Sequence, residues 1–345
     1  MQKRRRSPRA FLVVLAAVVL VLGLGGAVVA APPKSGGHQQ KAGHGQKGGH
    51  GQKGGHGQKG GHHDRGDRGH RRHSISDDEI SIQLWNFAAY VGFGTDAATQ
   101  ARAEEVLRRL SEIGYRNVEP FTFNGRTAAE FKALLDKYDL KAPSRHGDVS
   151  ITNFAQTLAD SKTLRQKYVG SGGFPTPGIS SYENTLATAI VMNELGRRSV
   201  RNGTGKFYGH NHQGEFRTQY ADPATGEMKS AWQILVENTD PRYVTFQLDV
   251  LWAADGGADP VALLRRFGKR ISSLHVKDGI NVADPANATP VPIGEGEMVF
   301  EPILRAAEGH VKYYIYEQDP PFGDPTFDPF ASAQAGFDYL DRVRF

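Results

Sequence analysis

Residues 74–345 predict an α/β protein of the (β/α)8 TIM-barrel class, on three observations. Short apolar runs alternate with amphipathic helical segments eight times, and such alternation implies parallel strands with helical crossovers. Eight units in this length favour closure into a barrel over an open sheet. No Gly-x-Gly-x-x-Gly follows a strand and opens a helix, so neither a dinucleotide fold nor a P-loop is supported.

The units follow in order. Strands are expected at 80–85, 115–121, 140–146, 167–170, 206–212, 244–249, 271–276 and 313–316. Helices are expected at 96–113, 127–138, 153–166, 182–201, 231–238, 259–267, 300–308 and 330–343. In the first helix Ala103, Val106, Leu107 and Leu110 fall at i, i+3, i+4 and i+7, an apolar stripe that faces a core. The long fourth helix ends at Asn202-Gly203, a good C-terminal stop.

Composition divides the chain near residue 74. Residues 1–73 carry 14 Lys+Arg against two acidic residues, whereas the remainder has a net charge of −7. The basic balance therefore belongs to the N-terminal part, which argues against the body being a nucleic-acid binder. Cysteine is absent, which excludes disulfides, Cys nucleophiles and thiolate metal sites. Residues 1–31 predict an export signal: Lys3, Arg4, Arg5, Arg6 and Arg9 precede an apolar run at 11–22, followed by small residues before Ala30 and Ala31. A secreted or extracytoplasmic protein follows; the alternative is a membrane anchor left uncleaved. Residues 32–73 repeat His-Gly-Gln-Lys-Gly-Gly from His44, a His/Gly/Lys-rich composition that predicts a disordered linker. Its imidazoles and cations suit metal ions or an anionic cell-wall polymer, and a solvated spacer is the equal alternative.

Barrel chemistry gathers at the C-terminal ends of the strands. Those ends carry Asn86, Glu119, His146, His210-Asn211-His212, Asp249, His275 with Lys277-Asp278, and Glu317-Gln318-Asp319. Four of the five histidines of residues 74–345 stand there; His310 is assigned to a helix end. Mixed His, Asp and Glu suit one divalent ion such as Mn, Mg, Co or Zn, which polarises a carbonyl and acidifies the neighbouring C–H. A nearby carboxylate then moves the proton. Glu295 and Glu297 lie in a glycine loop and are expected to be solvated, in a loop that closes over substrate.

Six segments carry a family likeness: Ile113-Gly-Tyr-Arg-Asn-Val-Glu119, Gly209-His-Asn-His-Gln-Gly-Glu-Phe216, Leu248-Asp-Val-Leu-Trp252, Leu274-His-Val-Lys-Asp278, Pro292-Ile-Gly-Glu-Gly296 and Tyr316-Glu-Gln-Asp319. In order and spacing the chain resembles the sugar phosphate isomerase/epimerase superfamily, the xylose-isomerase-like barrels grouped with family-2 AP endonucleases. The resemblance implies metal ligands at Asp249, His275 and Glu317. The family's fourth ligand is usually a Glu, and His210 stands in its place here. That departure puts a two-base epimerisation in doubt but not a one-base proton shuttle or an elimination. The resemblance makes Glu317 an acid/base group as well; by position Glu119 and Lys277 are further catalytic candidates, Glu119 as a second carboxylate and Lys277 as an anchor for a substrate oxygen or a partner of Asp278, and His146, His212 and Trp252 are candidates to hold a small sugar or polyol. Three functions follow as alternatives: a metal-dependent isomerase or epimerase, a dehydratase or lyase on keto-sugars or keto-polyols, and a non-catalytic sugar- or metal-binding barrel. Nucleic acid is not expected as a partner, and the His210-Asn-His212 letters of a nuclease motif have no place in this fold.

Overall fold

The computed structural model describes residues 73–284 and 287–345. The expected export signal and linker at residues 1–72 lie outside the described residues. Among those described, no helix is long and apolar enough to cross a membrane.

Seven parallel strands form one sheet, in the order Asn117–Glu119, Ile80–Gln83, Tyr313–Tyr316, Ile271–Val276, Val244–Asp249, Lys206–His210 and Tyr168–Ser171. The eighth expected strand, at 140–146, is not a continuous ladder strand. It closes the cylinder by isolated parallel bridges, Lys141 to Asn117 on one side and His146 to Gly170 on the other. Pro143 sits between these bridges and has no N–H to give, which interrupts any ladder. Its carbonyl is still used, accepting from Lys167 N at 2.7 Å. The fold is therefore a TIM barrel whose third staves are held by single bridges.

The eight expected helices are present as Ala97–Ile113, Ala128–Lys137, Phe154–Thr163, Tyr182–Asn202, Ala231–Glu237, Pro260–Phe267, Phe300–Ala307 and Pro329–Arg342. Their starts are set by short polar side chains. Asp96 caps the first, and Thr127 with Glu130 forms a reciprocal capping box on the second. Gly203, at φ 81°, ends the fourth in the left-handed conformation that a Cβ disfavours.

Several strands stop earlier than the sequence predicts. The first ends at Gln83, whose Oε1 accepts from Trp85 N at 3.2 Å and starts a 3-10 turn, Leu84–Phe87. The strand expected to reach His212 ends at His210. The small elements that were not expected include the helices Ala88–Val91, Gly214–Arg217 and Val250–Asp255, and hairpins pairing Gln219–Ala221 with Met228–Ser230 and Asp278–Ile280 with Thr289–Val291.

Strand alternation divides the barrel wall. Ile80, Ile82, Val118, Phe207, Phe246, Leu248, Leu274 and Val276 belong to the buried apolar core. The alternate residues Gln83, Glu119, Tyr208, His210, Gln247, Asp249 and His275 are equally buried but polar, and they touch one another across the barrel. The inside of the barrel near its mouth is thus a polar column within an apolar sleeve.

Candidate metal centre

Asp249 and His275 face each other across paired strands, and Glu317 follows the next strand directly. With His210 they present ligand atoms that all lie within 4.8 Å of one another, on four buried side chains. His146, His210 and His275 form a second close group on the same criterion. All four residues expected to hold a metal are therefore brought together.

The protonation states of His210, Asp249 and Glu317 suit this use. Burial pushes the His210 imidazole well below its usual range, and the neighbouring cations add to that, so it stays neutral and able to ligate. Burial also lifts Asp249, to about 6, with the Glu317 charge adding and Lys277 opposing. Burial alone would raise Glu317, but Lys277 and His275 outweigh it and hold this carboxyl well below the usual range. Asp249 Oδ1 is occupied by the backbone N–H of Trp252 at 2.9 Å. Asp249 Oδ2 is buried and accepts no well-formed hydrogen bond, although Lys277 Nζ lies 3.1 Å away. A buried carboxylate oxygen with a free lone pair beside a neutral imidazole is what a hard or borderline cation requires.

His275 explains the orientation. Its Nε2 lies 2.8 Å from Glu119 Oε1 and its Nδ1 2.7 Å from Glu317 Oε2. Burial disfavours the imidazolium, but the two carboxylates outweigh it and lift this histidine to about 10. With Nε2–H held by Glu119, Nδ1 is the nitrogen left facing the ligand cluster, the carboxylate–histidine–metal arrangement of many metal sites. The residues present thus fit a divalent metal.

Glu119, the candidate second carboxylate, lies deeper than the ligand cluster. It is fully buried beneath His275. Its oxygens meet Gln83 Nε2 at 2.8 Å, Gln247 Nε2 at 2.9 Å, Tyr208 Oη at 3.2 Å and Ser144 Oγ, besides His275. Burial would raise its pKa, but His146 and His275 overcome that and keep it ionised. Glu119 is thus held within the barrel wall as an anchor for His275.

Lys277 is buried and does not pair with Asp278. Its Nζ lies 2.7 Å from Glu317 Oε2, 2.8 Å from Asp319 Oδ2 and 5.2 Å from the Trp252 ring. Desolvation opposes its charge, yet the three carboxylates hold it well above the usual lysine range. Asp278 instead accepts four backbone N–H bonds, from Gly279, Gly294, Gly296 and Met298, at 2.9–3.1 Å. A Cβ on Gly296 would come within 2.1 Å of Asp278 Oδ1, so the glycine loop is seated on this carboxylate.

His146 stacks on His275 at 5.4 Å between centroids and also lies 2.9 Å from Gln247 Oε1. His212 and Trp252 stand at the mouth, with ring centroids 6.4 Å apart. His212 is exposed and Trp252 half-buried. Sequence reasoning passed over Gln83, Ser144, Tyr208 and Gln247. The available signal was polar residues at alternate positions in otherwise apolar strands, as in Phe246-Gln247-Leu248-Asp249. Two cavities, of about 500 and 640 Å³, open around Asp78 and Lys167 at the strands' N-terminal ends, away from this cluster.

Comparison with known proteins agrees with this fold. The family described as xylose isomerase-like TIM barrel matches residues 107–340. An inosose dehydratase of Geobacillus kaustophilus (strain HTA426) is 24% identical over 291 residues, covering 70% of this chain and 87% of that protein. The crystal structure of a sugar phosphate isomerase/epimerase from Parabacteroides distasonis ATCC 8503 is similar with TM-score 0.63 and 24% identity, covering 77% of this chain and 98% of that one. The IOLI protein with a bound zinc atom is similar with TM-score 0.58 and 14% identity, covering 77% of this chain and 99% of that one. At these identities the solved structures show a shared fold.

Proposed function

Since the chain belongs to the xylose isomerase-like TIM-barrel family, we propose that it is a divalent-metal-dependent enzyme that removes a proton next to the carbonyl of a keto-sugar or keto-polyol and expels a β-substituent. The observation that carries this reading is the buried His210, Asp249, His275 and Glu317 cluster at the strand ends. A metal bound there would polarise the carbonyl and stabilise negative charge on its oxygen.

This chain's residues supply the rest. Glu317 is held ionised by Lys277 and His275, so it is able to accept the α-proton. Lys277 is held as the ammonium and donates toward the oxygen that gains charge or departs. Trp252 and His212 orient the sugar at the mouth, with Trp252 offering a ring face to its C–H groups. His146 and Glu119 fix the ring of His275 from below. Elimination is preferred to epimerisation because Glu119 is enclosed and His210 replaces the family's usual carboxylate, leaving Glu317 as the assigned base. The name of the dehydratase relative supports the same choice. An isomerase or epimerase course is the second reading, favoured by the exposed His212 imidazole as a second proton carrier. Export of the protein is proposed alongside, on the basic and apolar runs at residues 3–22.

The test is incubation of the metal-loaded protein with keto-sugars and inososes in D2O. We expect an absorbance from a conjugated carbonyl product and its loss with Glu317→Gln. A new stereoisomer carrying solvent deuterium, with no such absorbance, would select the second reading; no deuterium and no product would refute both.

A further inference from the structure

We infer that the barrel rim beside the metal ligands carries an aromatic platform for a second ring joined to the reacting sugar, so that the substrate is a glycoside rather than a free monosaccharide. The inference rests on the sugar reading given above and names the substrate class within it.

Four rings meet there. Trp85 lies 5.1 Å from Phe121, 5.9 Å from Phe93 and 6.0 Å from Phe322, measured between centroids. Phe93 and Phe322 stack at 6.3 Å with an interplanar angle of 25°. These two are 64% and 57% exposed, among the largest apolar exposures of the described residues. Single exposed apolar side chains are ordinary, but rings from separate loops gathered into one water-facing patch mark a binding surface.

Position ties the patch to the ligand cluster. The rings follow the strands Ile80–Gln83, Asn117–Glu119 and Tyr313–Tyr316, which are neighbours in the sheet. Trp85 N donates to Gln83 Oε1, and the same Gln83 side chain holds Glu119. Phe121 is two residues beyond Glu119, about 7 Å along an extended chain. Phe322 lies in the loop that continues from Glu317. Gln318 N donates to Asn86 Oδ1 at 3.0 Å, which links the loops bearing Phe322 and Trp85. Asn86 Nδ2 and Gln318 Oε1 remain buried without a partner, a donor and an acceptor next to Trp85 and Glu317 in the chain.

Chemistry selects the occupant. Ring faces favour the C–H face of a pyranose or the edge of an aromatic aglycone. Trp252 already provides a stacking surface after the Val244–Asp249 strand, two strands beyond Glu317's, so the platform serves a different part of the ligand. The shared requirement is a second ring attached to the first.

The test uses the full chain loaded with Mg²⁺ and three probes: methyl β-D-glucopyranoside, phenyl β-D-glucopyranoside and cellobiose. Calorimetry is expected to show about tenfold tighter binding of a two-ring probe than of the methyl glycoside. A gain for phenyl alone assigns an aromatic aglycone, and a gain for both assigns any second ring. The gain should disappear in the Phe93→Ala/Phe322→Ala variant, whose changed residues are at the surface, while methyl glycoside binding stays the same. Equal binding of all three probes, or a gain that survives in the variant, would overturn the platform and leave the sugar site standing. Binding of none of the three would overturn the platform and leave the keto-sugar reading to its own test above.

Discussion

Lys277→Met is expected to lower the stability of the metal-free chain by roughly 3–5 kcal/mol at neutral pH, the cost of leaving buried charges without their counterion. Lys277 is 1% exposed, and its ammonium is shared by Asp249, Glu317 and Asp319. The sign of the pH dependence follows from Glu317, whose carboxyl is held below its ordinary value in the fold. Such a group stabilises the fold above the unfolded pKa, and that contribution is lost as pH falls through the folded value. The variant lacks much of this contribution, so its deficit should be widest near neutrality and shrink on acidification. A divalent ion added to the variant meets the same carboxylates and should recover much of the loss. Urea unfolding with and without chelator checks this; identical midpoints for the two chains in chelator would contradict it.

Metal affinity is expected to rise about tenfold per pH unit from near neutrality toward pH 10, one proton being released for each ion bound. The cause is His275, lifted to about 10 by Glu317 and Glu119. An imidazolium cannot ligate, so the ion must displace the proton that lies between Nδ1 and Glu317. The same shift has the opposite consequence without metal. A histidine whose pKa is raised in the fold stabilises it fully below the unfolded value near 6.5, and this is lost as pH rises through the folded value. The metal-free chain should therefore weaken between these limits while the metal-bound one does not. Calorimetry in buffers of different ionisation enthalpy counts the proton, and a heat independent of buffer would refute the assignment.

Much of this organisation can be read from residues because it depends on local periodicity. The apolar stripe of Ala97–Ile113 and the strand Val244–Asp249 declare themselves, and barrel closure follows from their number. Once the strands are ordered, His210, Asp249, His275 and Glu317 fall at one end, and the fold does the rest. What escapes is decided by contacts between distant segments. Pro143 allows bridges at either side but no ladder, which strand propensity does not convey. Glu119 has the sequence signature of a strand-end acid, yet its partners come from five other strands or loops, and only their sum shows that it is enclosed. Gln83 and Gln247 resemble ordinary polar interruptions until both are seen to hold that carboxylate. The aromatic rim has no period at all, because its members come from separate loops.

The central claim is that these four side chains hold one metal ion. Its most direct test is the metal content, by mass spectrometry, of the full chain compared with its Asp249→Ala and His275→Ala variants after loading with Mn, Co, Zn or Mg and desalting. The histidines of residues 38–73 are common to all three chains and cancel in the difference. We predict one ion per chain more in the unsubstituted protein for at least one of these metals. Equal content across the three chains for every ion would contradict the account.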